Sequence, residues 1–201
     1  MVELLQARSP LHGLAMPGRF GARAGAAGLV IAERTMALAS IVARRGQADV
    51  LAAVVSERYG LILPDGPRRD TNGAVAFAGV GPQQWIASAG TTGVADFVAR
   101  LRADLGAYAA VIDQSDSRLV INVSGPRMRD VLAKGVPVDL DRSGFKVGDV
   151  AVTLVAHIGM QIDMLDDAPT FQLMAPRSMA GSFWSWLCAS AAEFGYDVTA
   201  R

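Results

Sequence analysis

The chain has 201 residues, enough for one domain or two small subdomains around a proper core. It is 51% apolar and 19% charged, which excludes a disordered chain, and its 19 basic against 19 acidic residues leave no net charge, which excludes the basic stripe that nucleic-acid phosphates demand. A lone cysteine, Cys188, excludes an internal disulfide and fits a reducing, cytoplasmic setting.

The apolar excess is mostly Ala, Val and Leu. That suits buried strands and close helix packing, and it also suits a subunit that hides part of its surface on a partner. The apolar runs are short and interrupted, so no membrane span is expected. No compact apolar segment follows a basic start, so no secretory signal is expected either.

Residues 1–28 are rich in Gly, Ala, Pro and Arg, with Arg8, Arg19 and Arg23 spread through them and no periodicity. They read as an extended arm, free or laid on a partner subunit. From Leu29 the pattern becomes regular. The spacing predicts helices over 47–59 (Val50, Leu51, Val54, Val55 on one face), 94–105 (Val94, Phe97, Val98, Leu101, Leu105), 126–134 (Met128, Val131, Leu132) and 179–194 (Met179, Phe183, Leu187, Ala191, Phe194). Each is followed or closed by a glycine, Gly60, Gly106, Gly135 or Gly195, read as the left-handed residue that satisfies the last carbonyls.

Short apolar stretches follow those glycines: LILP, AYAAVI, VPVDL and YDV. Strands are predicted over 36–43, 74–80, 85–89, 119–123, 150–158 and 171–174, with 81–84 as a hairpin turn between two of them. Strand, helix, glycine, strand therefore recurs. RRGQADVLA at 44–52 and SGPRMRDVLA at 124–133 even share wording. The expected fold is α+β: split βαβ-type subdomains of antiparallel sheet with helices on one side. Beyond the arm, residues 29–201 read as one unit, divisible into subdomains at about 29–110 and 111–201.

Residues that could carry chemistry are few. His12 and His157 are the only histidines, one in the arm and one in an apolar strand, which does not make a metal cluster. Cys188 lies inside the last helix and reads as an inert thiol. Ser124-Gly125-Pro126 opens the third helix as a cap. No GxGxxG or GxxxxGK[ST] pattern accompanies it, so no nucleotide site is expected. Asp113, Asp116, Asp163, Asp166 and Asp167 read as turn carboxylates. Trp184 and Trp186 fall about 160° apart on a helix. With Phe183 and Leu187 they give it a wide apolar arc, suited to a helix that serves both its own core and a partner.

Four blocks in order along the chain carry a resemblance: ARSPL at 7–11; DQSDSRLVINVSGPRMRDVLAKG at 113–135 with Asp139-Leu140; FKVGD at 145–149 leading to AHI at 156–158; and RSMAGSFWSWLCASAAEFG at 177–195. Together they are similar to the gamma subunit of heterotetrameric sarcosine oxidase. The resemblance implies a complex of four different subunits that oxidatively demethylates sarcosine to glycine, with oxygen as acceptor, hydrogen peroxide as product and folate taking the one-carbon unit. It implies alpha, beta and delta subunits as partners, with FAD, FMN, NAD, zinc and tetrahydrofolate held there and none in this chain. It also implies the folate-binding fold of the glycine-cleavage T-protein, cut down to its first part.

Relatives of that fold that act alone carry a KGCYxGQ-type signature, absent here. The expected role is therefore a non-catalytic assembly subunit, with Phe183, Trp184, Trp186, Arg8 and Leu11 as candidate subunit contacts. The alternative is a free-standing folate-binding protein or aminomethyltransferase-like enzyme of the same fold. A complex acting on another N-methyl amino acid stays open, because the substrate pocket would lie in another chain.

Overall fold

Residues 8–22, 28–90 and 94–199 are described by the computed structural model. Residues 1–7 and 23–27 of the expected arm, including Ala7 and Arg23, lie outside the described residues.

Period-two alternation builds two sheets. One takes β3 (Met36–Ala43), β4 (Arg69–Thr71), β5 (Val75–Gly81), β6 (Gln84–Gly90) and β7 (Ala109–Asp113), in the order β4-β5-β6-β3-β7. The other takes β1 (Gly18–Phe20), β2 (Leu29–Arg34), β8 (Arg118–Ser124), β9 (Val150–Val155), β10 (Ile158–Asp166), β11 (Thr170–Pro176) and β12 (Tyr196–Val198), in the order β1-β12-β2-β8-β11-β10-β9. Neighbours are antiparallel, apart from β12 with β2. The helices are α1 (Ala48–Tyr59), α2 (Val94–Leu105), α3 (Met128–Ala133) and α4 (Ala180–Ala191), the last entered through a 3-10 turn at Arg177–Met179.

Successive strand residues face opposite ways, so each sheet has two different faces. Ala37, Ala39 and Ile41 of β3 and Trp85 and Ala87 of β6 pack with Leu51 and Val55 of α1 and Phe97, Leu101 and Leu105 of α2. In the larger sheet, Ile121, Val123, Ile162, Phe171 and Leu173 pack with Val131 and Leu132 of α3 and Phe183 and Leu187 of α4. The intervening residues Leu38, Ile86, Val120 and Met174 form a third cluster that joins the sheets. Helices thus cover one face of each sheet, and the sheets meet through their other faces. This is the α+β class expected from the pattern. Residues 29–34 are built into the larger sheet, between β12 and β8, with the C-terminal half of the chain.

Several local expectations need correction. The apolar run 150–158 is not one strand but a hairpin: β9 and β10 are joined at Ala156 and His157, whose φ values are 47° and 69°. Neither is glycine, so periodicity gave no sign of the turn. The stretches 61–64 and 136–140 form no strand; Leu61, Leu63, Val136 and Leu140 are buried from irregular backbone instead.

Ser124 does not cap α3. It is the last residue of β8, paired with both Val30 and Thr170, and the helix starts at Met128 without a side-chain cap. Gly60 and Gly195 do take positive φ (64° and 70°), but Gly106 and Gly135 do not. Those two are glycine for space: a Cβ on Gly135 would lie 2.6 Å from the Trp186 ring, and one on Gly106 would lie 2.5 Å from the Arg102 carbonyl oxygen. The described part of the arm is folded onto its own chain, since β1 pairs with β12 and Arg19 makes an ion pair with Asp197.

Candidate functional site

The residues singled out as subunit contacts occupy different environments. Leu11 is 2% exposed and packs with Leu29 and Ile31. The turn it opens is pinned by Ser9, whose hydroxyl hydrogen-bonds the Glu33 carboxylate and accepts the Leu11 N–H. Phe183 is fully buried and Trp184 is 9% exposed, both in the core between α4 and the larger sheet. Trp186 is half-buried and stacks on Phe183 with ring centroids 6.0 Å apart. Arg8 is exposed, and its carbonyl accepts a hydrogen bond from Arg177.

The wide apolar arc of α4 is thus largely taken up inside this chain. Leu11, Phe183 and Trp184 are withdrawn from the surface; Arg8 and part of Trp186 remain on it. Beside them the arm exposes Leu14 and Met16.

A larger apolar opening lies elsewhere, where the two sheets part at the β9 end. A cleft of about 720 Å³ is lined by Ala48 and Ala52 of α1, Leu63, Pro64 and Pro67, the β5–β6 hairpin from Gly79 to Gln83, Trp85 and Val152. Its wall is held by the Trp85 indole N–H, which donates to the Pro64 carbonyl at 2.7 Å. Among the described residues its charged lining groups are Asp49 and Asp65, both carboxylates. Val152 is 59% exposed, and Leu154, two residues on along the same face of β9, is 50% exposed. Ile62, beside Leu63, is 76% exposed.

Between the sheets lies a buried polar strip. Gln161 and Asp163 alternate with Met160, Ile162 and Met164 along β10, so they face the smaller sheet. Asp163 is therefore not a turn residue but a fully buried carboxylate. Its Oδ1 accepts a 2.7 Å hydrogen bond from Gln161, and its Oδ2 sits 3.8 Å from Arg69 Nε on β4, too far for a hydrogen bond. Burial pushes its pKa up to about 6, against the smaller opposing pulls of Gln161 and Arg69.

A carboxyl whose folded pKa is raised contributes stability at low pH and loses it as pH rises through that value. Falling from pH 8 to pH 5 should therefore raise stability by about 1–2 kcal/mol. The carboxylates with lowered pKa, Asp113, Asp141 and Asp197, act in the opposite sense only as pH falls further. Urea unfolding at the two pH values measures this, and Asp163→Asn should flatten the difference. An unchanged slope in that variant would refute the assignment.

The histidines do not meet: His12 is exposed in the N-terminal turn and His157 is exposed in the β9–β10 hairpin. Cys188 is half-buried, and burial raises its pKa, which disfavours the thiolate. Asp113 and Asp166 do shape turns, accepting the N–H of Ser115 and Ala168. Among the described residues no three His, Cys, Asp or Glu side chains are grouped to hold a metal ion, and no helix is long and apolar enough to cross a membrane.

Comparison with known proteins gives a consistent answer. The model of the sarcosine oxidase gamma subunit family matches residues 44–193. No curated protein sequence matches the chain. Among solved structures, a chain of the heterotetrameric sarcosine oxidase from Corynebacterium sp. U-96 superposes with a TM-score of 0.79 at 24% identity, covering 94% of this chain and 96% of that one. The glycine cleavage system aminomethyltransferase T from Bartonella henselae gives 0.66 at 16% identity, covering 94% of this chain but 57% of that one. The fold is therefore shared with part of the aminomethyltransferase, as the resemblance implied, and its α+β class is the one the split βαβ pattern predicted.

Proposed function

The chain belongs to the sarcosine oxidase gamma subunit family, and we propose that it is a non-catalytic assembly subunit of a heterotetramer that oxidatively demethylates sarcosine to glycine. The observation that carries this reading is the family match across residues 44–193. The near-complete mutual coverage with the Corynebacterium chain supports it.

In this reading alpha, beta and delta subunits are the partners. They hold FAD, FMN, NAD, zinc and tetrahydrofolate, while oxygen is reduced to hydrogen peroxide and folate receives the one-carbon unit. The work of this chain is geometric: it buries surface on the catalytic subunits and holds them in place in the cytoplasm.

The test is expression of the chain alone and together with those subunits, followed by size-exclusion chromatography with absorbance at flavin wavelengths. The expected result is self-association alone and co-elution with a yellow complex when the partners are present. A well-behaved monomer that ignores the partners and binds folate tightly would overturn the proposal in favour of an independent folate protein.

A further inference from the structure

The bare edge of β9 distinguishes it from the other sheet edges. Its sequence, VAVTLV, holds no charge and no proline, the devices by which natural edge strands avoid pairing with other chains. The other edges have guards. β4 carries Arg69 and Asp70, β1 carries the Arg19–Asp197 pair, and on β7 the Arg102 guanidinium donates to the Val111 carbonyl.

The register shows which backbone groups of β9 are free. Met164 N–H donates to the Asp149 carbonyl, and residues 151, 153 and 155 follow in phase, so the odd positions bond to β10. Val150, Val152 and Leu154 point their N–H and C=O groups outward. The Val150 N–H is met by the Pro67 carbonyl at 2.9 Å. Among the described residues the N–H groups of Val152 and Leu154 meet no acceptor. Their side chains are also the exposed apolar ones, and Val152 opens into the cleft of about 720 Å³.

We propose that the β9 edge is a docking strand for another subunit of the same enzyme, which adds an extended segment alongside Val152 and Leu154. This deepens the assembly role proposed above and rests on it. Main-chain hydrogen bonds to the two free rungs supply affinity, and alternate side chains of the segment fall into the cleft beside Leu63, Pro64 and Trp85. Asp49 and Asp65 on the lining call for a segment that is apolar with a lysine or arginine; an acidic segment would be repelled. The Pro67–Val150 hydrogen bond closes the edge at one end, which sets the register of the added strand.

Amide hydrogen exchange tests this on the assembled complex and on the full chain alone at low concentration. The Val152 and Leu154 amides should exchange at least about tenfold more slowly in the complex. Val152→Lys and Asp65→Lys should each weaken assembly by about tenfold or more, while the melting temperature of the free chain, where both side chains are exposed, stays unchanged. Assembly with no change in β9 exchange, or with protection confined to Leu14, Met16 and Trp186, would overturn the docking strand and leave the family role standing. Protection already present in the dilute free chain would mean the chain covers its own edge. That result overturns the proposal. Protection that appears only as the free chain is concentrated is the self-association expected of an edge without its partner, and supports it. Failure to assemble with any subunit would overturn the assembly role and this proposal together.

Discussion

Gly79→Ala is expected to destabilise the protein by about 3 kcal/mol, the upper end for forcing atoms into packed structure. Gly79 is buried in β5, and its N–H donates to the Arg68 carbonyl at 2.9 Å. A Cβ there would lie 1.9 Å from the Gly66 carbonyl oxygen and 3.0 Å from the Gly66 carbonyl carbon. Both are backbone atoms, so no rotamer change relieves the clash, and the 64–68 segment must move away from β5. That movement would also strain the Trp85–Pro64 hydrogen bond and the Pro67 contact to β9. Gly90→Ala is the control, since among the described residues nothing lies within 4 Å of its added Cβ. Urea unfolding of the two variants should give a large loss for the first and little change for the second. Equal effects would show that the close approach of β5 and the loop does not govern stability.

Phe183→Ala should cost about 3–5 kcal/mol, the range for truncating a buried aromatic ring. The ring is fully buried where α4 meets the larger sheet, and Trp186 stacks on it and in turn packs closely against Gly135. Removing it leaves a cavity and frees Trp186 from its seat, so the α3–α4 packing should loosen. Phe183→Leu should recover most of the loss, because it refills most of the volume. A chemical-denaturation difference below about 1 kcal/mol for the alanine variant would mean the helix can collapse into the gap. Because the residue is internal, any assembly defect in this variant should track its lost stability, whereas Val152→Lys should weaken assembly without it.

The elements themselves were legible because local patterns encode them. Helix α2 occupies the predicted 94–105, and β3 the predicted 36–43. The hairpin turn at 81–84 lies between β5 and β6 as predicted. Helix α2 carries a clear apolar period, and the strands are short apolar runs with turn residues at their ends. The β9–β10 hairpin was missed because Ala156 and His157 adopt positive φ without the residues that usually permit it. Asp163 was misread as a turn residue, although its alternation with Met160, Ile162 and Met164 already placed it on the opposite face of a strand.

The candidate surface was less legible than the fold. Aromatic content drew attention to Phe183 and Trp184, yet both are buried, because a helix between sheet and solvent needs large side chains whether or not a partner exists. Residue type cannot say which apolar groups are covered. Val152 and Leu154 look in sequence like any core valine and leucine. They are exposed because β9 ends the larger sheet where the smaller one no longer covers it.

The amino-acid sequence by itself thus determined the α+β class, the main helices and strands and the family resemblance, since periodicity, turn residues and motif order are local properties of the chain. Only the tertiary structure decided which strands became edges, which apolar residues stayed in water and that Asp163 lies buried opposite Arg69. Those depend on how two sheets, built from interleaved segments of the chain, are laid against each other.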